Sequence, residues 1–305
     1  NAGRRRRAML ITLAMVSSAP SGDRQTRAIL LMVLGVGTLS VNDAIIKWLS
    51  DGLAVGQILC LRGVIVIAVY GGVVGLSQGF QVFRMARPKV HLTRGLFLLA
   101  SAYTFVTGLS LLPLADAFAL SFAGPLFMVV LAILFLGERV GWRRWAAVVV
   151  GFIAVLVMLR PGTSAFQLAA LFPLAAAFCG AARDAITRRM AREESTHAIL
   201  LWGTAIVAVG GLASLPWGWG PVTWADGGLL LATAILQCLA HYLMIESFRY
   251  GETSLLAPFK YTGLVWGIVI GFLIWGTFPD NYILMGAAVI SASGIYIARR
   301  EAQAR

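Results

Sequence analysis

Ionisable side chains lie inside long apolar stretches of this sequence, where an unpaired charge is energetically costly. They are Asp43, Lys47, Arg62, Asp184, Arg188, Glu246 and Lys260. Asp43 and Lys47 are four residues apart, as are Asp184 and Arg188, so each pair can meet on one helix face. Such pairs either cancel charge within a helix or form part of a binding site or ion-pair gate, and the spacing leaves both interpretations open.

Arg62, Glu246 and Lys260 have no oppositely charged residue four positions away, which favours a functional role. Arg62 and Lys260 could bind a carboxylate or phosphate. The acidic side chains could bind an ammonium group or carry a coupling proton. Polar and aromatic residues that could line the same cavity are Asn42, Tyr103, Thr107, Ser121, Trp202, Tyr242 and Tyr261. Each aromatic residue alone is more often a packing residue than a ligand contact.

The composition predicts that these residues are embedded in a membrane. The chain has 305 residues, of which 59% are hydrophobic and 12% are charged. Soluble domains carry about 25% charged residues, so this chain cannot cover a soluble surface of its size. An ordinary soluble protein and a disordered chain are both excluded, because the first needs more charge and the second less apolar content.

Ten apolar runs are long enough to cross a membrane as helices, which takes about 20 residues each. They lie near 28–50, 54–76, 90–112, 115–136, 142–160, 165–189, 197–216, 225–248, 253–276 and 282–298. The alternating pattern of a transmembrane barrel is absent. We therefore expect an all-α membrane protein.

The basic residues predict how the chain is oriented. The net charge is +12, and 20 of the 25 Lys and Arg residues lie in segments that share one side if the N-terminus is cytoplasmic. Positive charge favours the cytoplasmic side. The pattern predicts an inner-membrane protein with both ends in the cytoplasm, and it makes nucleic-acid binding an unnecessary explanation. Residues 1–26 are then a basic cytoplasmic tail.

The two halves of the chain are similar to each other at an offset of about 140 residues. Asn42-Asp43 matches Arg183-Asp184, Arg62-Gly63 matches Trp202-Gly203, and Tyr103 matches Tyr242. Thr107 matches Glu246, and Ser121 matches Lys260. Two repeats of five spans follow, at 27–161 and 162–300, with a short tail at 301–305. An odd number of spans inserts the second repeat upside down, as in many secondary transporters.

Cysteine and histidine residues give no sign of a metal site or a disulfide framework. Cys60, Cys179 and Cys238 are odd in number and lie in apolar runs. The three histidines are far apart in sequence and lack the spacing of metal ligands. We expect no metal and no cofactor.

The sequence resembles the EamA type of the drug/metabolite transporter superfamily over residues 27–300. Asn42-Asp43 with Lys47 and Arg62 is similar to the opening of many members, and Gly137-Glu138 resembles their Gly-Glu hinge. Leu256-Ala257-Pro258-Phe259 resembles the signature of the ninth span, together with Tyr261 and Trp266. The second hinge departs, because Gly276-Thr277 stands where Gly-Glu is common.

The resemblance implies a central cavity between the repeats, no use of ATP and transport of a small molecule. We expect export of amino acids by alternating access, because a cavity with both signs of charge suits a zwitterion. Alternatives are uptake of S-adenosylmethionine or a nucleoside-like metabolite, or export of cationic drugs. A lipid-modifying enzyme and a channel are less favoured. The expected partners are the substrate, the bilayer and a coupling proton, in a monomer or weak homodimer.

Overall fold

The computed structural model describes residues 21–124, 126–127, 130–131, 142–160, 167–190, 194–250, 256 and 259–303. Within these ranges the secondary structure is helical, without strands. Most of the predicted tail, Gly137-Glu138, Pro258 and the side chain of Arg188 lie outside the described part.

The helices follow one another through short connections. They are α1 (Ser21–Leu49), α2 (Val55–Val66), α3 (Gly72–Gln78), α4 (Pro88–Leu111), α5 (Leu114–Ser121), α6 (Trp142–Leu159), α7 (Leu171–Met190), α8 (Thr196–Leu212), α9 (Trp224–Tyr250), α10 (Thr262–Trp275) and α11 (Asn281–Gln303). A π-turn, Ile67–Gly71, joins α2 to α3, so the two form one continuous rod. Short 3-10 turns lie at Phe80–Phe83, Leu168–Ala170 and Leu215–Trp217.

In the part of the chain that is described, six helical segments are long and apolar enough to cross a membrane. They are Arg24–Leu49, Val55–Gln78, Pro88–Leu111, Leu168–Thr187, Thr196–Trp217 and Trp224–Met244. Val148–Leu159, Thr262–Trp275 and Asn281–Ser293 are apolar but shorter. The prediction of an all-α membrane protein is confirmed, whereas the count of ten spans stays a prediction.

Local sequence explains where several helices begin and end. Pro88 starts α4, where its missing N–H costs no hydrogen bond. The Ser195 hydroxyl caps α8 by accepting from the Ala198 N–H at 3.0 Å, and the Asp280 carboxylate accepts from the Ile283 N–H at 2.9 Å at the start of α11. Gly276 ends α10 with a φ of 64°, a conformation that favours glycine.

The helices pair between the two halves of the chain. The most extensive pairs are α1 with α9, α4 with α7, α6 with α11, and α2 with α8. Further pairs are α4 with α8, α2 with α9, α1 with α10, and α5 with α10. In each of these pairs, one helix comes from residues 21–160 and the other from residues 167–303. The halves therefore interdigitate, and the buried core is built from both.

We name the two ends of the bundle after the predicted orientation. The inner face holds the start of α1, the start of α4 and the end of α7. The outer face holds the opposite ends of the same helices, including Leu49 and Leu111.

Glycine allows α2 and α8 to cross at close range. A Cβ atom added to Gly211 would lie 2.5 Å from the Gly56 carbonyl oxygen and 2.8 Å from the Cys60 nitrogen. One added to Gly63 would lie 2.7 Å from the Ala208 Cβ atom. Because the obstacle at Gly211 is backbone, it cannot rotate away. This contact matches the role of small residues in packing membrane helices.

At the inner face, the connection between α3 and α4 is held by the start of α8. The Glu194 carboxylate accepts from the Ala86 and Arg87 N–H groups at 3.0 Å each. The Trp202 indole N–H donates to the Phe83 carbonyl at 2.8 Å, and the Ser195 hydroxyl donates to the Val82 carbonyl. We call this set of contacts the inner latch.

A buried histidine and a tyrosine add to the inner latch. The His91 Nε2 atom is 3.4 Å from the second oxygen of Glu194, and both side chains are almost fully buried. Tyr70, in the π-turn, makes a 2.6 Å hydrogen bond between its hydroxyl and the His197 Nδ1 atom. The latch thus joins the rod of α2 and α3, the start of α4 and the start of α8.

The outer face has a smaller contact of the same kind. The buried Gln57 amide donates to the Gly220 carbonyl at 2.8 Å and accepts from the Gly220 N–H at 3.1 Å. Gln57 is near the start of α2, and Gly220 lies in the connection between α8 and α9. We call this pair of hydrogen bonds the outer latch. On the same face, Arg160 forms an ion pair with Asp280 and stacks over the Tyr282 ring.

Substituting Gly211 tests the α2–α8 crossing. Gly211→Ala places a methyl group against the backbone of α2, and overpacking of this kind costs about 1–3 kcal/mol. Gly72→Ala is the matched control, because a Cβ atom there meets nothing within 4 Å. In thermal unfolding of the detergent-purified protein, we expect Gly211→Ala to unfold earlier and Gly72→Ala to match the parent. Equal unfolding temperatures for both variants would contradict the crossing.

Substituting Glu194 tests the inner latch. Glu194→Ala removes the acceptor of two N–H groups at the start of α4, a loss of about 1–2 kcal/mol for a cap of this kind. Glu194→Gln keeps one carbonyl acceptor and should lose less. We expect amide hydrogen exchange at residues 82–91 to accelerate in the order parent, glutamine, alanine. Unchanged exchange in Glu194→Ala would show that the carboxylate does not hold this connection.

Candidate functional site

Near the outer face, α1 and α2 bring together three buried polar side chains. Asn42, Asp43 and Arg62 are 1%, 8% and 6% exposed. The Asn42 amide donates to an Asp43 carboxylate oxygen at 3.0 Å, and the charges of Asp43 and Arg62 act on each other. Asp43 lies six residues before the end of α1, which is about 9 Å of helix rise. We call these three residues the outer cluster.

The outer cluster contains an acceptor that its neighbours do not use. The Asn42 Oδ1 atom is buried and makes no hydrogen bond to any residue that the structure describes. A buried polar atom without a partner is uncommon in proteins. An N–H group or a water molecule entering the cluster would satisfy this oxygen, so the cluster can accept a polar guest.

Lys47 bonds to α4 rather than to Asp43. Its ammonium group donates to the carbonyls of Leu109 and Leu112 at 2.6 Å each, and it lies 5.8 Å from the centre of the Trp275 ring. The last carbonyls of a helix have no N–H partner in the helix itself and attract a cation. The i, i+4 spacing permits the predicted pair, but in the structure Lys47 donates to these two carbonyls instead.

Near the inner face, a second group of charges surrounds Asp184. The Arg183 Nε and Nη2 atoms donate to one Asp184 oxygen at 2.9 and 2.8 Å, and the Lys260 Nζ atom is 4.0 Å from the other. The charge of Arg94 also acts on Asp184. We call Arg94, Arg183, Asp184 and Lys260 the inner cluster. The predicted partner Arg188 has its side chain outside the described part.

Arg94 is a site residue that sequence reasoning missed, because it was counted among the cytoplasmic charges that set the topology. Its Nε atom donates to the Thr187 hydroxyl at 2.7 Å and its Nη1 atom to the Ile199 carbonyl at 3.2 Å. Arg94 thus links α4 to α7 and α8. One signal could have found it: Arg94 lies four residues inside the predicted span 90–112, where a charge needs a partner.

His241 lies between the two clusters. The charges of Arg62, Arg94 and Arg183 all act on its ring, so it is near both the outer and the inner cluster. Its Nδ1 atom contacts the Gln237 carbonyl at 2.9 Å. Because a carbonyl can only accept, this nitrogen carries the hydrogen, and in the neutral ring Nε2 is an acceptor. No sequence pattern pointed to a functional role for His241.

The structure disperses the other predicted residues. The hydroxyls of Thr107 and Ser121 donate to carbonyls of their own helices, and Glu246 is half-buried on α9. Trp202 belongs to the inner latch. Tyr242 is 45% exposed. Tyr103 lies in an open depression of about 410 Å³ that is also lined by Gly210, Ala213, Ser214 and Trp217.

Tyr261 is the predicted aromatic residue with the strongest sign of an unmet polar contact. It is 9% exposed, and its ring packs edge-on against Phe122 at 5.1 Å. Its hydroxyl is buried and makes no hydrogen bond to the described residues. Tyr261 follows Lys260 directly in the sequence, just before the start of α10. The residue with the unbonded hydroxyl is therefore adjacent in sequence to a member of the inner cluster.

The site contains charged and polar groups but no metal cluster among the described residues: no group of three or more His, Cys, Asp or Glu side chains there could hold a metal ion. The arrangement offers guanidinium and ammonium donors, carboxylate acceptors and an acceptor imidazole nitrogen, all at membrane depth. These groups can bind and release a small charged molecule.

The chain is similar in sequence to known proteins. Residues 26–160 match the EamA-like transporter family. The chain is 28% identical over 276 residues to an S-adenosylmethionine uptake transporter of Rickettsia bellii, covering 89% of this chain and 93% of that protein. It is 30% identical over 288 residues to a riboflavin transporter of Rhizobium johnstonii, covering 93% and 95%. It is 26% identical to the pseudopaline exporter of Pseudomonas aeruginosa, covering 91% and 98%.

One protein of known crystal structure shares the fold. The two chains superpose with a TM-score of 0.54 at 20% identity, over 92% of this chain and 98% of the other. The sequence match and the coverage of full-length relatives agree with the apolar helices and the buried charges described above. The chain therefore belongs to the EamA-like transporter family of the drug/metabolite transporter superfamily, and it is a multi-pass membrane protein.

Proposed function

We propose that this protein is a secondary transporter of the inner membrane, with cytoplasmic ends, that moves a small metabolite carrying an α-amino-acid group. The observation that carries the proposal is the placement of both signs of charge at membrane depth, in the outer and the inner cluster. A zwitterionic group needs donors and acceptors together, and each cluster offers both. The unmet acceptor of Asn42 and the unmet hydroxyl of Tyr261 support a guest at these places.

The proposed mechanism is alternating access by two inverted repeats, residues 27–161 and 162–300. Its support is the pairing of the helices. The two halves correspond if α1 is exchanged with α7, α2 with α8, α4 with α9, α5 with α10 and α6 with α11. Under this exchange, each of the four most extensive helix pairs becomes one of the same four pairs. For example, α1 with α9 becomes α7 with α4. Two such halves can rock about a shared site and open it to either side.

The names of the relatives suggest which compounds to test first as substrates. Several are named as S-adenosylmethionine uptake transporters, and S-adenosylmethionine carries an α-amino-acid group. We propose S-adenosylmethionine as the first compound to test and free amino acids, moved outward, as the second. Riboflavin lacks this group and is the informative comparison, because a relative of similar identity is named for it.

Transport in proteoliposomes tests the proposal. The purified protein is reconstituted and offered radiolabelled S-adenosylmethionine, methionine or riboflavin, with and without a pH gradient. We expect saturable counterflow of a compound with an α-amino-acid group, which a channel would not give. Stimulation by the gradient would support a coupling proton. Release of a modified lipid by the purified protein, without counterflow, would instead support the lipid-modifying enzyme. Light scattering tests the proposed monomer or weak homodimer.

Substituting one cation of each cluster tests whether the clusters bind the substrate. Arg62→Ala and Lys260→Ala each remove a donor for a carboxylate, and we expect counterflow to fall at least about tenfold, the loss of a charged hydrogen bond. Arg84→Ala is the control, because Arg84 is exposed at the inner face. Normal counterflow in both cluster variants would reject this site.

A paired variant separates folding from transport. Arg62→Ala alone leaves the Asp43 carboxylate buried without its cation, which costs stability. Asp43→Asn/Arg62→Gln removes both charges and keeps two polar side chains. We expect this double variant to purify as the parent does and yet to transport poorly. Full transport by the double variant would show that the outer cluster is a structural pair.

A further inference from the structure

We propose that the inner cluster is the site that recognises the α-amino-acid group, with Arg94 and Arg183 holding the carboxylate and Asp184 holding the ammonium. This inference rests on the proposed function and deepens it. It assigns binding roles to Arg94 and Arg183, and it places the recognition of this group on the inner side of the bundle.

The two clusters differ in their balance of charge. In the outer cluster, one cation, Arg62, faces one carboxylate, Asp43. In the inner cluster, the guanidinium groups of Arg94 and Arg183 both act on the carboxylate of Asp184, and they also act on each other as like charges. Cations crowded at membrane depth repel one another, so an entering carboxylate would stabilise them.

The guanidinium groups of Arg94 and Arg183 are held in place and still have unused donors. Two bonds, to the Thr187 hydroxyl and the Ile199 carbonyl, fix the guanidinium plane of Arg94. Its Nη2 atom makes no hydrogen bond to the residues that the structure describes. Arg183 uses Nε and Nη2 on Asp184 and keeps Nη1 for another acceptor. A fixed guanidinium with spare donors is well suited to binding a carboxylate.

One carboxylate oxygen of Asp184 is available to a substrate. Arg183 donates twice to its Oδ1 atom, whereas its Oδ2 atom has Lys260 at 4.0 Å, beyond hydrogen-bond distance. Oδ2 can therefore accept from an ammonium group. In an α-amino acid, the ammonium and the carboxylate are attached to the same carbon. A site with a carboxylate acceptor beside guanidinium donors is complementary to that arrangement.

His241 extends the site toward the outer cluster. Its acceptor nitrogen belongs to a ring on which Arg62, Arg94 and Arg183 all act. The ring is therefore within electrostatic range of both clusters, and its Nε2 atom can accept a hydrogen bond from an N–H or O–H group of a bound substrate.

Matched ligands distinguish this site from a purely structural ion pair. The full chain, purified in detergent, is titrated with L-methionine, L-methioninamide and N-acetyl-L-methionine, and affinity is read from the rise in unfolding temperature. The amide lacks the carboxylate, and the acetylated compound lacks the ammonium. We expect the parent to bind methionine about tenfold more tightly than either, since each lost contact is charge-assisted.

The variants should change these preferences separately. Arg183→Gln should bind methionine and methioninamide alike, and Asp184→Asn should bind methionine and N-acetylmethionine alike. Arg94→Lys keeps the positive charge and the polar link to α7 but loses the paired N–H donors of the guanidinium group. It should therefore weaken methionine binding while the protein still folds. Arg84→Gln removes an exposed charge from the same face and should bind as the parent does.

Two results would overturn the inference: equal binding of the three compounds by the parent, or unchanged preferences in Arg183→Gln and Asp184→Asn. Proteoliposome counterflow separates this failure from failure of the proposed function. If methionine or S-adenosylmethionine shows counterflow but the three compounds bind equally well, the inner recognition site is rejected and the proposed transport function stands. Selective binding of methionine without counterflow of any tested compound would keep the inner site and reject the proposed transport.

Discussion

Lipid tails neither solvate charges nor form hydrogen bonds, so a membrane protein must provide partners for its own charged and hydrogen-bonding groups. In this bundle the requirement is met between helices. Lys47 of α1 occupies the open carbonyls at the end of α4, and Arg94 of α4 reaches α7 and α8. The outer cluster joins α1 to α2. The polar contacts therefore bind helices to one another at the places where the apolar packing alone would specify little.

The same constraint shapes the two faces of the bundle. At both faces, a side chain at the start of α2 or α8 holds a connection from the other half of the chain. The inner latch fixes the connection between α3 and α4 through Glu194, Ser195 and Trp202, whereas the outer latch depends on the one amide of Gln57. Among the described residues, the inner latch thus contains more polar contacts than the outer latch. A bundle that opens alternately would release these two sets of bonds in turn.

The features that could be predicted from the sequence are those that depend on a single helix. Apolar length is such a local property, and α4, α6 and α9 begin and end within two residues of the predicted spans. In contrast, α5 ends at Ser121, inside the predicted span 115–136, and α10 begins at Thr262, inside the predicted span 253–276. The costly positions of Asp43, Arg62 and Asp184 were likewise visible from the sequence. Partners were not visible, because they depend on which helices become neighbours.

Lys47, Arg94 and Trp202 show why partner prediction failed. Lys47 has a carboxylate one turn away, but the end of α4, which is distant in sequence, gives it carbonyls. Trp202 matches Arg62 in the repeat, yet its indole N–H is used by the Phe83 carbonyl at the inner face. Arg94 has the sequence signature of a topology-setting charge, and only the approach of α7 and α8 makes it part of a site.

The pairing of α1 with α9 has a consequence for how the protein is made. Translation at about 5–20 residues per second leaves an interval on the order of ten seconds or more between the completion of α1 and the appearance of α9. During this interval Asp43 and Arg62 have each other, but the large face of α1 that α9 will cover has no protein partner. Until α9 arrives, lipid covers this face, because lipid tails solvate apolar side chains as well as protein does. Mutations on that face would act on biogenesis before they act on transport.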